Sequence, residues 1–423
     1  MKRTDVARTR PGVRPLVWIP ALVCMAWLTL GTSARAQGGD ERDSKDEVFE
    51  KVDPYTGGEP AAVDRAGYIS FGPFPWCEDV KTGDIEETLG RKLLWVETAH
   101  FKIGSSLATY KLKGDKREEK RLASELEQLK AKFERFQPPK GKLDPWLRLH
   151  LYAQRVEAQY ASFVQRFKIE DKDFLTPTKP DPALPATGGG PFLGQPMKFT
   201  VLITEKQASI GRFTQRFIGH PSSTSVREFL PGGSMLTGIS ADSLREFGFD
   251  LDAALYCTLA SELSFNLMDG YRNSFAVPFW FKQGYAHMTS RSIDERWALY
   301  AVGTMRAKDD DSWRWEPRVF GLVTNGFMPS WKEMTSWRKW EDVNAQGHMI
   351  VWSRVSWLLS QKNADFHALL TAFTDPLPKT TEEDRARVVV ERQAEALKHA
   401  CGKEVRELEE AWRVWVLKTY PKK

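Results

Sequence analysis

Five leucines at four-residue spacing, Leu251, Leu255, Leu259, Leu263 and Leu267, commit residues 250 to 270 to a helix with one face in a core. Asp250 stands where an N-cap would be, and Gly270 is a stop. At about 3.6 residues per turn, Ser261 and Phe265 lie about 160–200° around the helix from the adjacent ridge leucines. They therefore face a second surface, where a cleft would be. Beyond Gly270 comes Pro278-Phe-Trp-Phe-Lys-Gln-Gly-Tyr-Ala286, which continues into a second helix expected to touch the first.

The segments before this pair alternate between helix and strand signals. Lys116 to Phe136 is a charged amphipathic helix with Leu122, Leu126, Leu129 and Phe133 on one stripe, closed by Pro138-Pro139. Asp144-Pro145 places an N-cap before a proline at the first helical position, and Leu149, Tyr152, Val156, Tyr160, Phe163 and Phe167 follow at steps of three and four. Residues 175 to 196 are rich in Pro and Gly and read as a long loop, after which Phe199 to Thr204 is a buried strand. From Ile293 onward the pattern is mainly helical and holds ten of the fourteen tryptophans that follow residue 36, which predicts a helical lobe over 301–423 packed by large aromatics.

The N-terminus reads as a secretory signal over residues 1–36. Lys2, Arg3, Arg8, Arg10 and Arg14 precede an apolar run from Leu16 to Leu30, and Ala34-Arg-Ala36 offers small residues for cleavage after Ala36. This implies a secreted or periplasmic chain, with no transmembrane segment in the mature protein. Residues 37–66, rich in Gly, Asp, Glu and Lys, read as a flexible leader to a lobe over 67–300. Segment 1–36 holds 6 of the 61 basic and 1 of the 56 acidic residues, which leaves 55 of each sign. A formally neutral mature chain gives no electrostatic argument for nucleic acid as a partner. Cys77, Cys257 and Cys401 remain after cleavage, so at most one internal disulfide can form and at least one thiol is left over.

The chemistry centres on Ser261-Glu-Leu-Ser-Phe265 and on Trp280, Gln283, Gly284 and Ala286 of the second helix. This stretch resembles the peptidase-MA-like gluzincin family, in which His-Glu-x-x-His on one helix and Trp-x-x-Glu-Gly-x-Ala on a second bind zinc and supply a general base. Ser261 and Phe265 fall at the histidine positions, Glu262 at the base position and Gln283 at the third-ligand position. The resemblance covers residues 92 to 300, and 396 to 417 look like the family's closing helices. It implies an α+β fold: a zincin-like mixed sheet with helices, followed by a helical C-terminal lobe. A serine, a phenylalanine and a neutral amide cannot hold zinc in that arrangement, so it also implies no metal, no cofactor and a pseudo-metallopeptidase rather than an enzyme.

By the same resemblance the strand above the metal helix, here Gly233 to Ile239 with Ser234 and Leu236, would pair with an extended peptide. Ser261, Phe265, Trp280, Gln283 and His287 would line the cleft, and Glu262 would be a relict base. Two other readings stay open: an active hydrolase with a non-standard site around Glu262, Gln283 and His287, and a structural envelope protein whose cleft is filled by Phe265 and other aromatics. No Gly-x-x-x-x-Gly-Lys phosphate loop and no Gly-x-Ser-x-Gly elbow occurs. The partner expected from the resemblance is an extended peptide or an envelope component.

Overall fold

A computed structural model describes residues 49–174, 189–298, 311–376 and 381–422, apart from positions 223, 247 and 250. The expected signal segment, the first part of the leader and residues 175–188 of the long loop lie outside the described residues. The fold is α+β, a mixed five-stranded sheet with helices on both faces and only helices after it among the described residues. The strands are β1 (Leu94–Glu97), β2 (Phe101–Ser105), β3 (Phe199–Thr204), β4 (Val226–Leu230) and β5 (Ser234–Ser240). Their spatial order is β1-β2-β3-β5-β4. The outer pairs β1–β2 and β5–β4 are antiparallel, while β2–β3 and β3–β5 are parallel.

The parallel strands are buried on both faces, as helices on either side require. Val201 and Ile203 of β3 point into one large core, and Leu202 between them points into a second, smaller one with Leu236 of β5. The larger core is built from helices α1 (Lys116–Lys130), α2 (Pro145–Phe167), α4 (Asp252–Gly270) and α5 (Phe279–Asp294). The smaller one is closed by a helix at Thr82–Leu89 and by α3 (Gln207–Phe217) through Ile85, Leu89, Ile210 and Phe213.

Local chemistry explains the main helix boundaries. Asp144 caps α2, its carboxylate accepting from the Leu147 amide at 2.9 Å with Pro145 at the first position. Asp115 caps α1 by accepting from the Arg117 and Glu118 amides; that helix ends at Lys130 and not at Phe136. All five ridge leucines of α4 are buried. Asp252 in its first turn receives Arg155 at 2.8 Å and lies 3.6 Å from Arg148. Burial works against that carboxylate's charge, but the two guanidiniums hold its pKa at about 2.

After α5 come α6 (Trp315–Asn325), α7 (Trp331–Ser336), α8 (Ala345–Leu358), α9 (Phe366–Thr374), α10 (Glu382–Cys401) and α11 (Val405–Thr419). Trp280 donates its indole N–H to Gln393 of α10 at 2.8 Å, and the large core runs without a break from Tyr55 to Val416. The Arg291 guanidinium lies 4.4 Å from the ring centres of both Trp315 and Trp352, so arginine–indole contacts help tie α5, α6 and α8 together.

The second half of the expected leader is packed, which corrects the reading of 37–66 as flexible throughout. Pro60–Arg65 is a helix, and Asp53 is buried with its carboxylate 3.0 Å from Nε2 of His150. Tyr55 donates its hydroxyl to Asp144 at 2.5 Å. Partners far along the chain compensate these polar groups, and composition alone does not reveal them. No helix among the described residues is long and apolar enough to cross a membrane.

Candidate functional site

The two motif helices α4 and α5 pack side by side and run antiparallel. Cys257 near the start of α4 donates its thiol to the carbonyls of Ser290 and Asp294, at 3.4 and 3.5 Å, near the end of α5. At the other end Asp269 binds Lys282 at 2.6 Å. Glu262 and Phe265 face the outer part of the sheet between these ties.

Glu262 has both carboxylate oxygens engaged. Ser225 donates its hydroxyl to one at 2.6 Å, and the Arg227 Nε lies 2.9 Å from the other. Arg227, on strand β4, also places its guanidinium 4.3 Å from the Phe265 ring centre and 3.8 Å from Asp269. Phe265 is 2% exposed and lies against Trp340 and Phe279, with ring centres 6.1 and 6.2 Å away. Around Glu262 and Phe265 the structure thus places an ion pair to Arg227 and a stack of aromatic rings. Ser261 is half-buried beside them.

Gln283 and His287 belong to a different cluster. The Gln283 amide nitrogen is 2.8 Å from Nε2 of His287, and that same nitrogen is 3.1 Å from Nδ1 of His348 on α8. Gln283 Oε1 and His287 Nδ1 are buried without a hydrogen-bond partner. Burial, and then the charges of His348 and Arg291, push the His287 pKa well below the ordinary imidazole value, and burial pushes that of His348 down to about 4. Both rings are neutral at pH 7. Glu262 and His287 bind different partners, so the non-standard trio of Glu262, Gln283 and His287 is not joined by hydrogen bonds.

Three nominated cleft residues lie elsewhere. Trp280 is fully buried toward α7 and α10, with Trp331 and Phe373 against its ring. Ser234 and Leu236 are fully buried on β5, which has β3 on one side and β4 on the other. A strand with two neighbours has no free edge to offer a peptide. The edge strand on this side of the sheet is β4, which the sequence reading missed; its signal was a short run ending in Pro231-Gly-Gly233 ahead of a second apolar run, a hairpin pattern. Gly232 and Gly233 have φ of 84° and 91°, and a side chain at Gly233 would meet the Pro196 ring at 2.6 Å. Arg227, Ser225, Trp340 and His348 were likewise not singled out.

Among the described residues no group of three His, Cys, Asp or Glu side chains is placed to hold a metal. Among the described residues Cys77, Cys257 and Cys401 are free, and burial pushes the Cys257 thiol up to about 12, which leaves it protonated and inert. No family model, curated protein or solved structure matches the chain.

Proposed function

We propose that this chain is a secreted metallopeptidase-like protein without catalytic zinc that keeps a binding face for an extended peptide or envelope component. The observation that carries the reading is Arg227. One residue of the edge strand pairs with Glu262 and covers Phe265, so the carboxylate is committed to a structural contact and is not placed as a general base. The strand that bears it keeps its outer edge unpaired among the described residues. Beside it Phe229 and Phe275 are 47% and 44% exposed, with their rings edge to face at 5.2 Å. An open edge gives an extended segment main-chain hydrogen bonds, and an exposed aromatic pair gives it a side-chain pocket.

The test is hydrogen exchange on the purified protein with a panel of extended apolar peptides. The reading expects slowed exchange in residues 226–230 and a loss of that effect in Phe229→Asp. Slowing confined to other segments, or none with any peptide, would favour the purely structural reading, which the near-complete burial of Phe265 supports.

A further inference from the structure

A second groove lies on the far side of α4. Ala260 is about 200° around that helix from Glu262, and with Ala158 and Ser162 of α2 it leaves three small side chains where α2, α4 and α5 meet. Larger residues at such positions would close the interface. Here a groove of about 240 Å³ remains, smaller than the roughly 300–1,000 Å³ of drug-sized sites and suited to a body of about one amino-acid residue.

Its floor is fixed. Gln159 donates to the Ala260 carbonyl at 2.8 Å and to the Ser264 hydroxyl at 3.0 Å, so its amide N–H groups are already used. Tyr256, Tyr285, Thr289 and Ser292 also line the groove, with the Ser292 hydroxyl donating to the Thr289 carbonyl. Arg166 is the one charged residue lining the groove, with no Asp or Glu there. It is half-buried and forms no ion pair among the described residues. By contrast, Arg155 behind the Tyr256 ring is compensated by Asp252 and Glu125.

We propose that this groove binds a carboxylate carried on a short apolar body, with Arg166 taking the carboxylate and the Tyr256, Ala260 and Tyr285 surface taking the body. A planar guanidinium with no ion-pair partner among the described residues is suited to bidentate carboxylate recognition. The carboxylate can belong to a free small acid or to the C-terminal residue of a peptide. The site is separate from the β4 edge and stands or falls independently of the peptide-binding reading.

N-acetyl-leucine, N-acetyl-leucinamide and a hexapeptide ending in leucine with a free carboxylate are the probes, measured by calorimetry and saturation-transfer NMR on the purified protein. The expected result is binding of N-acetyl-leucine with a Kd of about 1 mM, at least about tenfold weaker binding of the amide, and a similar loss in Arg166→Met, the scale of a charged hydrogen bond. Ala158→Leu, at an exposed helix position, fills the groove and abolishes binding while circular dichroism and the thermal midpoint hold. Tighter binding of the hexapeptide assigns the carboxylate to a chain end, and weaker binding assigns it to a free acid. Equal binding of acid and amide, an Arg166→Met variant that binds as wild type, or no binding of either carboxylate at about 20 mM, well above the expected Kd, overturns the proposal.

Discussion

The Arg227–Glu262 pair can be measured directly with a double-mutant cycle of Arg227→Met, Glu262→Gln and the combination. The guanidinium Nε and the carboxylate oxygen are 2.9 Å apart, with side chains 26% and 18% exposed. Unit charges about 4 Å apart at an effective dielectric of about 20 attract by about 4 kcal/mol. Desolvation and the ordering of a long side chain remove most of that, leaving the roughly 1.5–3 kcal/mol typical of a hydrogen bond between charged groups. Because a quarter of Arg227 stays in water, the coupling belongs at the low end, about 1.5 kcal/mol. Arg227→Met should cost somewhat more than the coupling alone, since the contact with Phe265 goes too, worth about 0.5–1 kcal/mol. Glu262→Gln should cost less, because an amide oxygen still accepts from Ser225. Urea unfolding followed by tryptophan fluorescence and circular dichroism gives the three differences. A coupling below about 0.3 kcal/mol, within the additivity expected of independent sites, would refute the view that Glu262 is committed to Arg227. So would loss of a hydrolytic activity in Glu262→Gln.

Phe265→Ala should cost about 3–5 kcal/mol in urea unfolding, as for other buried aromatic truncations; a neutral result would mean the ring does not fill a packed volume between α4, Phe279 and Trp340. Stability should fall in acid through His348, whose pKa is about 4 in the fold against 6.5 unfolded. That contribution is complete above pH 6.5 and is lost as the pH drops toward 4, by about 3 kcal/mol, and His348→Gln should flatten the acid limb of a stability–pH curve. His100 acts at the other end. Burial lowers its pKa, but hydrogen bonds to Asp171 and Glu157 outweigh this and hold it at about 9. Its contribution is full below pH 6.5 and disappears as the pH rises through 9, so His100→Gln should flatten the alkaline limb. Adding zinc or a chelator should leave the thermal midpoint unchanged, because a ligand stabilises only a fold with a site for it; a fall with chelator would contradict this.

The elements that could be read from sequence are those whose burial follows a period. The α4 ridge, the Asp144-Pro145 start of α2 and the strand Phe199–Thr204 all appear where apolar spacing and cap residues put them. Strand β4 was hidden because Arg227 and Glu228 interrupt its apolar pattern. The burial of Asp53 depends on His150, 97 residues away. The cleft side of α5 could not be read either, since Trp280, Phe281, Gln283, Gly284, Tyr285, Ala286 and His287 are all buried and no polar stripe marks an outer face. Trp280 and Gln283 were therefore placed together in one cleft, whereas the first points to α10 and the second to α8.

An open sheet edge is also a route to unwanted self-association, since the groups that could accept a ligand could equally template another copy of the chain. Strand β4 carries Arg227 and Glu228 at its middle, between Val226 and the apolar pair Phe229-Leu230. Charges in such a position act as gatekeepers against edge-to-edge stacking. Arg227 would then have two duties, internal to the fold through Glu262 and colloidal through its place on the edge. Its removal should lower solubility by more than the loss of stability accounts for.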